Sequence, residues 1–71
     1  MRAIGDLLSI IGAGGGYTIP AVAFTIEQLV EIAATARTPR SRITITGAAM
    51  LSYDDCVRIA AAGGGAVAFV E

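Results

Sequence analysis

Seventy-one residues make one domain at most, and a chain this short buries only about 60% of its unfolded surface. Hydrophobic residues make up 55% and charged ones 15%, against a usual charged share of about 25%, so one small globule cannot hide all the apolar material. A net charge of −1, no His and a single Cys exclude a field able to hold nucleic acid or an acidic membrane, an imidazole-based active site, an internal disulfide and a zinc set.

The first element is a helix around Asp6, Leu7, Leu8 and Ile10, closed by the glycines at 14 to 16. "YTI" at 17 to 19 is its strand, and Pro20 follows. Leu7 to Ile26 carries no charge, which raises two rival readings. A membrane span is broken by "GAGGG" at 12 to 16 and by Pro20. A secretory leader over 1–23 would use Arg2, the apolar run and "AVA" at 21 to 23, but Asp6 sits where leaders avoid acids. Neither is expected; the chain reads as cytoplasmic with no membrane span.

The second helix begins at Thr25, an N-cap whose hydroxyl can accept an orphan N–H, with Gln28 completing a capping box. Leu29, Ile32, Ala33 and Ala36 form its buried stripe at i, i+3, i+4 and i+7. After the loop "RTPRS", the β-branched run "RITIT" at 42 to 46 is a strand. A third helix then repeats the second at twenty-seven residues. Ser52 replaces Thr25, Asp55 stands three after it, and Cys56, Ile59, Ala60 and Gly63 form the stripe. Phe24 and Leu51, just before the caps, complete a hydrophobic staple in each copy. "GGG" at 63 to 65 ends this helix, and "AVAFV" at 66 to 70 is the last strand.

The first helix is a degraded copy: Asp6, Leu7, Leu8 and Ile10 match Asp55, Cys56, Val57 and Ile59, and "YTI" aligns with "TIT" at 44 to 46. The expected fold is therefore α/β. Three α-β units, about 3–20, 24–47 and 51–70, form a three-stranded parallel sheet with helices on one face, in a solenoid-like stack. "ITITGAAMLSYDDCVRIAAAG" resembles an α/β leucine-rich-repeat unit, in which strand residues precede a turn and a capped helix. The resemblance covers about two thirds of the chain. That family places Asn or Cys in the turn where Ala48 or Ala49 stands here, so its horseshoe curvature and concave ligand face are not carried over.

Chemistry-bearing residues are sparse. The glycine runs follow helices, whereas a phosphate loop follows a strand and precedes a helix, so they read as helix ends. Cys56 has no imidazole partner and shares the register of Leu29, so it reads as a small buried core residue. Ser52, Asp54 and Asp55 are explained by capping, and Tyr17 and Tyr53 by packing or surface contact. No catalytic, cofactor or metal residue is assigned. The expected function is a non-enzymatic structural or interaction module. It self-associates through apolar surface and the unprotected strand edges, where Tyr17, Val67 and Phe69 lie. The alternative is a module docked on a larger host or an acidic protein through the loop of Arg37, Arg40 and Arg42. Nucleic acid is the less expected partner, because no aromatic residue is interleaved to stack a base.

Overall fold

The computed structural model describes residues 3–71. Arg2, the charge of the leader-like pattern, lies outside them. Helices α1 (Ile4–Gly12), α2 (Ile26–Arg37) and α3 (Tyr53–Gly63) alternate with strands β1 (Tyr17–Pro20), β2 (Ile43–Thr46) and β3 (Val67–Val70). Single 3-10 turns at Ala21–Ala23 and Ala48–Met50 lead from β1 into α2 and from β2 into α3. The sheet is parallel in the order β1-β2-β3. This is the mixed α/β architecture that the alternating periods imply. Among the described residues no helix is long and apolar enough to cross a membrane.

Register explains which side of the sheet is covered. Ile19, Ile45 and Phe69 stand side by side across the strands, as do Tyr17, Ile43 and Val67. Ile19, Ile43 and Ile45 are buried in one cluster with Leu7 and Ile11 of α1, Leu29, Ile32, Ala33 and Ala36 of α2, and Ile59 of α3. Alternate residues point the other way, because side chains along a strand have period two. Thr18, Ala68 and Val70 are exposed, so all three helices pack on a single face. The aligned sequences set Tyr17 against Thr44, but in the sheet Tyr17 pairs with Ile43. One residue separates strand register from helix register, and the buried faces decide it: a slip of one would turn Tyr17 and Ile19 outward.

The helix starts follow their caps. Nothing caps α1 at Ala3 through a side chain. At α2 the Gln28 N–H donates to the Thr25 hydroxyl at 3.2 Å, while the Thr25 N–H donates to Gln28 Oε1 at 3.0 Å. At α3 the Asp55 N–H donates to Ser52 Oγ at 3.1 Å, with no return bond. The Asp side chain is one methylene shorter than Gln, and Asp55 instead faces Arg58 at 3.7 Å. Thr25→Ala and Ser52→Ala are each expected to cost about 1 kcal/mol, with Thr25→Ala the larger because its box closes both ways. Urea midpoints read at constant slope measure this. Two variants melting with the parent would place the helix starts elsewhere.

The third helix differs from expectation at two stripe positions. Cys56 is half-buried and Ala60 is exposed, although their counterparts Leu29 and Ala33 in α2 have no exposed surface. The reason is position in the stack. Helix α2 has a helix on each flank, whereas α3 has one on only one flank. The buried side of α3 is therefore confined to Ile59, Gly63 and, in part, Ala62.

Candidate functional site

The loop between α2 and β2 carries the arginines, and one buried hydroxyl sets its shape. Ser41, only 2% exposed, donates to the Ile11 carbonyl at the end of α1, and its N–H donates to the Ala36 carbonyl at 3.1 Å. With residue 41 held inside, its neighbours Arg40 and Arg42 stand outside. Arg37 occupies the last turn of α2, where a cation complements the helix dipole. Its side chain lies across Gly64: a Cβ there would meet Arg37 Nε at 2.9 Å, and the backbone has φ +56°. Arg37, Arg40 and Arg42 thus line one cleft of about 470 Å³, closed by Gly64, Gly65 and Ala66 after α3.

Among the described residues none of these three arginines has a carboxylate within ion-pair distance. Among the described residues the recorded ion pair is Arg58–Asp55, elsewhere on α3. Three of the five basic residues of a chain with net charge −1 are therefore gathered at one rim without a carboxylate. Arg40 is further marked by its backbone, with φ +57°, the one positive value among the described residues other than glycine. A side chain there costs about 1–2 kcal/mol relative to the right-handed region.

The second feature is the open end of the stack. Val57 of α3 is 48% exposed and Tyr53 82% exposed, in one stripe with exposed Ala60 and Ala61. The other strand-edge candidates face inward rather than outward. Val67 and Phe69 share ladders with Ile43 and Ile45 and pack on the core, yet remain half-buried because no strand lies beyond β3. Tyr17 is half-buried on the opposite edge strand. The outward residues of β3 are Ala68 and Val70.

No protein-family model, curated protein or solved structure matches the chain. Ala48 opens the 3-10 turn that leads from β2 into α3. Sequence reasoning assembled the arginine trio but missed Ser41, Gly64 and Gly65 as its frame. The one available signal was a small polar residue between two arginines, which reads as solvated loop until the Ile11 carbonyl is seen opposite.

Proposed function

We propose that this protein is a non-enzymatic interaction module that self-associates end to end. The β3 edge and outer stripe of α3 in one copy would receive the β1 edge and outer side of α1 in the next. The observation that carries this reading is the burial of equivalent positions in the three units. Ile11 in α1 and Ala33 in α2 occupy the same repeat position and are fully buried. A Cβ on Gly63 would lie 3.5 Å from that of Ala33, so this position faces the following helix. Its third copy, Ala60, is exposed. At the other end Ile10, counterpart of the fully buried Ile32 and Ile59, is only half-buried. Each end lacks what the other offers.

The sheet supports the same contact. Both outer strands are free along one side, and neither carries a charged residue to deter pairing. Stacked units need polar terminal faces to remain soluble alone, and the Tyr53, Val57, Ala60 stripe is apolar. A heterologous contact of this kind continues the stack in a solenoid-like manner, closing into a ring or growing as a filament.

Sedimentation at micromolar concentration tests the proposal. The parent is expected to sediment as a species heavier than its 7.2 kDa chain. Ala60→Glu, at an exposed helical position, is expected to return the monomer with its circular dichroism unchanged, since such surface changes shift stability by only about 0.5 kcal/mol. A folded, strictly monomeric parent would sink the reading. That result would leave the second one, an acidic partner held by Arg37, Arg40 and Arg42, which the uncompensated cleft favours.

A further inference from the structure

We infer that the arginine cleft is a binding site for a phosphoryl oxyanion, with a diphosphate group its best-matched ligand. The proposal is independent of assembly, because the cleft is built within one chain from the α2–β2 loop and the turn after α3.

Charge and shape together select the ligand. Three guanidiniums, each a planar fork of N–H donors, present more paired donors than the two oxygens of one carboxylate can accept. A diphosphate offers more acceptor oxygens and a charge near −3, matching the three cations. The cleft, of about 470 Å³, has room for more than a single phosphate. Gly65, at φ +96°, also lines the cleft, and its N–H donates to no other protein group among the described residues. No aromatic side chain lines the cleft, so the group recognised is the phosphoryl head and not a base attached to it.

The dipole of α2 accounts for Arg37 but not for its neighbours. Arg40 is the informative residue: exposed, without an ion pair among the described residues, and held in the left-handed region where glycine would sit without strain. Backbone strain retained at an exposed position points to a role for the side chain it carries. Its replacement by glycine therefore separates binding from folding.

The experiment is a calorimetric titration with inorganic pyrophosphate in low-salt buffer. Saturable binding to one site per chain is expected. Arg40→Gly should weaken it by about ten-fold or more while the melting temperature stays level or rises. Arg58→Gln, which removes an arginine outside the cleft, should leave it unchanged. ADP should bind within about three-fold of pyrophosphate, because no stacking surface is present. Absence of saturation up to about 10 mM would overturn the inference. So would equal weakening by Arg58→Gln, which would indicate diffuse charge, or unaltered binding in Arg40→Gly. ADP binding far tighter than pyrophosphate would overturn the restriction to a phosphoryl head.

Discussion

Truncating Ile45 to alanine is expected to cost about 2–5 kcal/mol, roughly half of the protein's total stability. Ile45 is 1% exposed and sits in the middle strand between Ile19 and Phe69, with the helices above. Losing three carbons there removes their transfer energy and opens a cavity that neighbours on both sides cannot collapse into. Domains of this length hold about 4–10 kcal/mol in total, at 0.05–0.15 kcal/mol per residue. One truncation therefore consumes much of the margin. Thr18→Ala, on the uncovered face of β1, is expected to change stability by no more than about 0.5 kcal/mol. Urea unfolding followed by far-ultraviolet dichroism reads both. Comparable losses in the two variants would mean that the second face of the sheet is covered as well.

The second large effect is expected at Gly16. A Cβ there would lie 2.7 Å from the carbonyl oxygen of Arg42, the acceptor of the Tyr17 N–H at 3.0 Å that begins the β1–β2 pairing. Backbone atoms cannot swing aside as a side-chain tip can. Gly16→Ala should therefore cost about 1–3 kcal/mol by forcing the two strands apart where they first meet. Gly5, within α1, has nothing within 4 Å of its missing Cβ, and Gly5→Ala should stabilise by up to about 1 kcal/mol through helix propensity alone. Opposite signs for two Gly→Ala changes are the expected signature. A neutral Gly16→Ala would place β1 farther from β2 than the register requires.

Much of this architecture is legible in the sequence because local chemistry and period agree. Thr25 with Gln28 makes its box, Leu29, Ile32, Ala33 and Ala36 line the buried side of α2, and the β-branched run ending at Thr46 forms β2. Features set by distant groups are not legible. Ser41 is buried by a carbonyl thirty residues earlier, and Gly16 is required by a backbone approach that no local pattern encodes. The three glycines at 14 to 16 look alike in sequence, yet only Gly14 has the positive φ of a helix end. The exposure of Ala60 and the partial exposure of Cys56 are illegible for a related reason. Their spacing copies α2, but spacing does not reveal that the stack stops on their side. The arginines of the candidate site were visible as a cluster, whereas their convergence on Gly64 and Gly65 depends on how α3 ends.

Sequential pairing of the strands also bears on how the protein is made. Ile43 meets Tyr17 from twenty-six residues earlier, and Val67 meets Ile43 from twenty-four earlier. β2 and β3 each thus find a partner among residues already synthesised, across a loop of modest closure entropy. No segment must wait for a distant part of the chain, as strands in long-range β topologies do. A nascent chain can lay down its units in order of synthesis, the second covering the apolar side of the first soon after it emerges. Within residues 3–71 no later unit covers the outer side of the third, and under the proposed end-to-end association a second copy would cover it.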